Sequence, residues 1–210
     1  GLNITQECNA ALKMLEGNRE ERIQGLRIFC EYRDQRSFPL LLPLLDQPCP
    51  VERMSAVYAL GRNPCPSAVQ KLVSLLETDD NAYVRRATAW SLANYDNQIV
   101  LKPLINALKN DVAAVRLWSS SSLAEIGNVS SKNAELAAEQ LLISLKIDNE
   151  SGVRSNCIWS LCRLFEKLDN TFQECFVDEC TKIALFDKEP SVMEEAKTAL
   201  DSMGMQGFYN

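Results

Sequence analysis

Eight cysteines are the residues of this chain with the most obvious chemical potential, and four of them form matched pairs, Cys157 with Cys162 and Cys175 with Cys180. Thiolates ligate zinc or hold iron–sulfur clusters, but such sites place their ligands in tight turns or Cys-x2-Cys loops. Both pairs here fall in amphipathic helical stretches, where residues five apart point about 140° away from each other. Neither pair grips one ion without unwinding, so no metal site is expected and the thiols read as small apolar core filler. Proton transfer has little to work with. The chain has no histidine, which removes the commonest general base and any Ser-His-Asp or Cys-His pairing. No GxxxxGK[ST] or GxGxxG loop is present, so phosphate cradling is not indicated. The acidic pairs Glu20/Glu21 and Glu194/Glu195 are adjacent in sequence and face different sides of a helix. A catalytic site is therefore not expected.

What remains is the chemistry of adhesion. Tyr58, Trp90, Trp118 and Trp159 recur at related places in the chain, with Arg62 and Arg86 near them. Rings of this size bury much area for little rotamer entropy and anchor partners well. Two uses are open: anchors for a bound protein, or half-buried packing between neighbouring helices. The two arginines suit the steering of an acidic partner.

The positioning elements follow from self-similarity. Five segments align on an arginine, Arg22, Arg53, Arg85, Arg116 and Arg154, and a sixth aligns on Met193, at steps of 31, 32, 31, 38 and 39 residues. Seven residues beyond each anchor stand Phe29, Leu60, Leu92, Leu123, Leu161 and Leu200; three beyond stand Gly25, Ala56, Thr88, Ser119, Cys157 and Ala196, nearly all small. Positions +3 and +7 share one helical face, so each copy offers a small and a large residue to the same neighbour. An amphipathic stretch precedes each anchored helix, as in residues 40–45, 69–76, 101–108, 136–145 and 176–185. The second helices should start near 19, 50, 81, 112, 151 and 191. Asn18–Glu21 and Ser191–Glu194 have the capping-box spacing. Pro50 and Pro66 suit first turns, and Gly61, Gly127 and Gly204 read as stops. The longer steps predict longer helices or loops at 128–135 and 166–174, the loops projecting from one rim. Ser119–Ser122 form one helical turn whose hydroxyls can bond back to the preceding carbonyls, or whose small size deepens a groove. The pattern predicts one domain over 1–210, all-α, of five to six helical hairpins, since a lone hairpin of this length cannot bury its apolar face.

The stretches from Val51 to Pro64 and from Ala113 to Ala124 resemble the phycobilisome-lyase type of HEAT-like repeat, and the resemblance runs from about residue 18 to 203. It implies a right-handed α-α superhelix, a HEAT-like solenoid whose second helices line a concave groove. Tyr58, Arg62, Arg86, Trp90, Trp118 and Trp159 would face a partner there. It also implies an Asp–Arg ladder, to which Asp80 with Arg85, Asp111 with Arg116, and, less closely, Asp148 with Arg154 conform; Asn18 and Met193 interrupt it, so the ladder should fade at both ends. The segment Val153 to Leu161 is most similar to cyanobacterial HEAT proteins that partner an A-type iron–sulfur carrier. A non-catalytic scaffold binding such a carrier or a phycobiliprotein is what the resemblance implies, with no cofactor of its own. The alternatives are a bilin lyase subunit or tetrapyrrole-holding chaperone, with a bilin, and a cluster-handling factor, with an iron–sulfur cluster.

Bulk properties narrow the setting. The 210 residues carry a net charge of −6, are 46% hydrophobic and 24% charged, and have a pI near 4.9. An acidic chain repels nucleic-acid backbones, so no nucleic-acid partner is expected. The longest apolar run, Leu40 to Leu45, is broken by Pro43 and far too short to span a bilayer. The start, Gly1 to Ile4, has no basic, apolar leader pattern, and unpaired cysteines suit a reducing compartment. A cytoplasmic location is expected, away from membranes.

Overall fold

The computed structural model describes residues 3–204. Within them the chain forms helical hairpins and no strand. The first helices are α1 (Ile4–Met14), α3 (Phe38–Leu41), α5 (Val69–Thr78), α7 (Leu101–Asn110), α9 (Ser131–Ile147) and α11 (Asn170–Phe186). The second helices are α2 (Arg19–Glu31), α4 (Pro50–Arg62), α6 (Ala82–Ser91), α8 (Ala113–Gly127), α10 (Ser151–Leu164) and α12 (Pro190–Ser202). Each second helix starts within one residue of the position the repeat predicts. Short 3₁₀ segments flank several of them, notably Leu42–Asp46, which continues α3.

Helix starts follow local chemistry. Asn18 and Glu21 form the capping box: Glu21 N donates to Asn18 Oδ1 at 2.9 Å, and Asn18 N to Glu21 Oε1 at 3.1 Å. Pro50 opens α4, where its missing N–H goes unneeded. The second expected box does not form. Helix α12 begins one residue before Ser191, at Pro190, with Glu189 as an N-cap whose side chain makes no capping bond. The stops also differ. Gly204 adopts φ +75°, as a left-handed helix end requires, but Gly61 and Gly127 lie inside their helices. The extra residues of the last two steps are helical: α9 and α11 are 17 residues each, and their first turns occupy most of the stretches where projecting loops were one of the two expectations.

Contacts gather the chain into two compact units, Gly1–Pro103 and Leu104–Asn210, with the boundary inside α7; the repeat pattern predicts one domain over 1–210. Local packing explains such grouping, since each hairpin touches mainly its sequence neighbours. In the first unit α2 packs on α4 and α4 on α6, with α1 against α2 and α5 against α6. In the second, α8 packs on α10 and α10 on α12, with α9 and α11 behind them. All six residues at +7 are fully buried, and all six at +3 are buried with them. Burying a Leu or Phe contributes about 1.5–3 kcal/mol, so this face accounts for much of what holds neighbouring second helices together.

Arginines tie one repeat to the next. Arg22 forks onto Glu52, Nε to Oε2 at 2.8 Å and Nη2 to Oε1 at 3.0 Å. Arg53 does the same to Asp79, Arg116 to Asp148 and Arg154 to Asp187, at 2.8–3.2 Å. Each of these arginines turns Nη1 to a carbonyl in its own hairpin's loop, Gly17, Gln47, Asp111 or Asp148, and Arg85 likewise to Asp79. A loop aspartate therefore takes the previous repeat's guanidinium on its side chain and its own repeat's on its carbonyl. Asp79 and Asp148 do both. Two expectations are corrected. The rung is Asp79, while Asp80 is 95% exposed and only 3.5 Å from Arg53 Nη2. The ladder does not fade at the first copy either, because Glu52, buried in the first turn of α4, stands in for the aspartate.

Candidate functional site

The residues expected to face a partner fall into two sets, one in each unit. In the first unit α4 and α6 lie side by side and bring the +5 residues of two repeats together: the Tyr58 and Trp90 rings are 5.5 Å apart and tilted by 54°. Trp90 rests on Gly61, where an added Cβ would come within 2.3 Å of its Cζ3. Both rings are half-buried. They wedge two second helices together and leave one side wet. Arg62 is exposed and donates from Nε to the Cys30 carbonyl at 3.2 Å. The Arg86 guanidinium stacks 5.2 Å over the ring of exposed Tyr83, and its buried Nε finds no acceptor. Tyr83 was not among the expected residues; its signal was the three-residue spacing that puts it on the same helical face as Arg86.

In the second unit α8 and α10 present Trp118 and Trp159, 37% and 45% exposed. Arg163 caps Trp159 at 5.0 Å and reaches across to Glu125, Nη2 to Oε1 at 3.0 Å. Asn156 Nδ2 donates to the Leu117 carbonyl at 3.0 Å and to Ser121 Oγ at 2.7 Å, while Ser160 Oγ donates to the Ser120 carbonyl at 2.5 Å. These bonds tie the helices edge to edge. The serine run thus serves close packing: Ser119 and Ser120 are wholly buried, and Ser120 bonds back to Leu117 O at 2.6 Å. Arg163 and Glu125 were missed by sequence reasoning, although both stand at +9, the register of Arg62. Ring faces edged by guanidinium groups suit adhesion and offer no proton-transfer pair.

A family description of HEAT repeats matches residues 9–93 and 69–162. The chain belongs to the HEAT-repeat family. No curated protein sequence matches it significantly. Among solved structures, an engineered protein is 20% identical with TM-score 0.66, over 92% of this chain and 98% of that one. A designed armadillo repeat protein in complex with the peptide (KR)4 is 18% identical with TM-score 0.66, over 95% and 98%. The complex of CpcE and CpcF of phycocyanin lyase from Nostoc sp. PCC7120 is 22% identical with TM-score 0.61, over 79% and 99%. At these identities the likeness is one of fold, the all-α superhelical class that the family resemblance implies.

The thiols of these HEAT repeats are free, and four are buried: Cys8, Cys65, Cys157 and Cys180. Burial pushes the Cys30 and Cys162 thiols up to about 11 and drives Cys157 and Cys180 up as well, because a thiolate loses its solvation inside. A protonated thiol is a poor ligand and nucleophile. Cys175 alone is exposed among the described residues. Among those residues, no three Cys, Asp or Glu side chains converge in a way that could hold a metal ion, and no helix is long and apolar enough to cross a membrane.

Proposed function

We propose that the protein is a non-catalytic adaptor whose second helices dock a partner protein, with Trp118 and Trp159 as anchors. The observation that carries this is their exposure on adjoining helices, braced by Arg163, Glu125 and Asn156. Tryptophan and arginine dominate binding energy at protein interfaces, and more than a third of each tryptophan stays open to solvent on the folded chain. Likeness of fold supports the same use, since the designed armadillo protein of similar fold is in complex with a peptide. Small iron–sulfur carriers and phycobiliproteins are the partner classes to try. Titrating either class against the wild-type chain should give a complex that Trp118→Ala or Trp159→Ala weakens roughly 10- to 100-fold, compared at a temperature where circular dichroism shows both variants fully helical. Equal affinity in both variants would remove the anchors from the surface and the proposal with them.

A second use is favoured by the likeness to the phycocyanin lyase complex and by the wet side of the Tyr58–Trp90 pair: stacking of an open-chain tetrapyrrole. Added phycocyanobilin should then shift its visible absorption, and Trp90→Ala should abolish the shift. An unshifted spectrum would remove this second use.

A further inference from the structure

The ends of α9 and α11 carry apolar side chains that neither the fold nor the tryptophan surface explains. In each hairpin from the third onward, the residue just before the loop aspartate (Asp79, Asp111, Asp148, Asp187) is exposed. Thr78 and Asn110 occupy that position in two copies, so a polar residue satisfies it. The next two copies place Ile147 and Phe186 there, 75% and 80% exposed, the most exposed large apolar side chains among the described residues. Single exposed apolar residues are ordinary; a pair at one repeat position in adjacent copies is a patch.

Ile147 and Phe186 flank a groove of about 450 Å³ on the second unit. Ile143, one helical turn before Ile147 on α9, is exposed as well. Lys146, Lys182 and Lys188 line the groove, and among the described residues no carboxylate pairs with any of them. Of the three acids in the lining, Asp148 and Asp187 are held by guanidinium groups of the ladder, which leaves Glu179 as the unengaged carboxylate. The groove is thus locally cationic on a chain of net charge −6, and its complement is an acidic segment with apolar side chains.

We propose that this groove docks a short amphipathic acidic segment of a partner protein, its apolar side chains over Ile147 and Phe186 and its Asp or Glu residues against Lys146, Lys182 and Lys188. The site is separate from the tryptophan surface, so it stands or falls independently of the adaptor function proposed above.

A random dodecamer peptide library selected on the whole chain, and counter-selected on Ile147→Ser/Phe186→Ser, tests it. Selected peptides should combine aromatic or aliphatic residues with Asp or Glu. By fluorescence anisotropy they should bind the double variant at least about tenfold more weakly, lose affinity as salt rises, weaken likewise on Lys146→Glu/Lys182→Glu, and bind Trp118→Ala/Trp159→Ala normally. Both altered positions are exposed, so the double variant should keep its helicity and melting temperature; if it does not, the lysine variant supplies the same comparison. Failure to enrich any peptide, neutral or basic winners, or undiminished binding to either groove variant overturns the proposal. So does sedimentation showing that the wild-type chain self-associates through this face while the serine variant does not.

Discussion

Gly61 sits in the last turn of α4, where glycine costs about 1 kcal/mol against alanine. Trp90 occupies the space that a methyl group would need, with Cζ3 2.3 Å from the position of a Cβ and Ser91 Oγ 3.1 Å from it. Gly61→Ala should therefore destabilise the protein by about 1–3 kcal/mol through overpacking. In a Trp90→Ala background the obstacle is gone, and the same change should become neutral or stabilising by up to about 1 kcal/mol as helix propensity takes over. A double-mutant cycle in urea reads the sign. The same penalty in both backgrounds would mean that the ring is not what excludes the methyl group. Neither fact was legible in the sequence: the glycine reads as a helix stop, and Trp90 equally well as an anchor or as packing. The +5 position names the residue, but only the neighbouring helix says how much of the ring stays wet.

At the scale of elements, the second helices are held by two devices of unequal legibility. The +3/+7 face was readable in full, because helical period is local and every copy repeats it. The ladder was readable for its arginines and for Asp111 and Asp148, but not for Asp79 or Glu52. Asp79 and Asp80 are adjacent, and a family pattern cannot choose between them; the fork geometry does, since Asp79 points inward and also accepts the Asn81 N–H at 2.9 Å. Glu52 was missed because the acid that answers Arg22 comes from inside the next helix and not from its loop. Asp148→Ala strips Arg116 of its carboxylate and the turn of its bond to Glu150 N, so a loss of about 2–4 kcal/mol is expected. Asp80→Ala, on a solvated side chain, should change stability by no more than about 0.5 kcal/mol. Urea midpoints of the two variants compare them directly, and similar losses would displace Asp148 from its place as a rung.

Over the whole molecule, titration should be quiet near neutrality. With no histidine in the chain, the marked shifts lie at the extremes. Asp34 is held low by the Arg36 guanidinium bonded to it, while burial pushes Cys30 and Cys162 up to about 11 and Tyr95 up to about 12. A group raised on folding contributes stability below its unfolded value and loses it as pH climbs toward the folded one. Unfolding free energy should thus stay level from about pH 6 to 8 and decline from about pH 9, where unfolded thiols ionise, toward pH 11. A marked slope between pH 6 and 8 would point to a coupled group that the structure does not show.

By itself the sequence determined the all-helical repeat, the start of every second helix, the buried face and the poverty of catalytic groups. Each of these depends on residue type and on spacing within one hairpin, over which chain geometry is nearly invariant. The tertiary structure decided which acid meets which arginine across 26 to 33 residues, which tryptophans stay exposed, and that Ile147 and Phe186 share a groove with three lysines. Those outcomes depend on how one helix is rotated and offset against the next. A displacement of an ångström or two in that packing changes them all while leaving the pattern along the chain untouched.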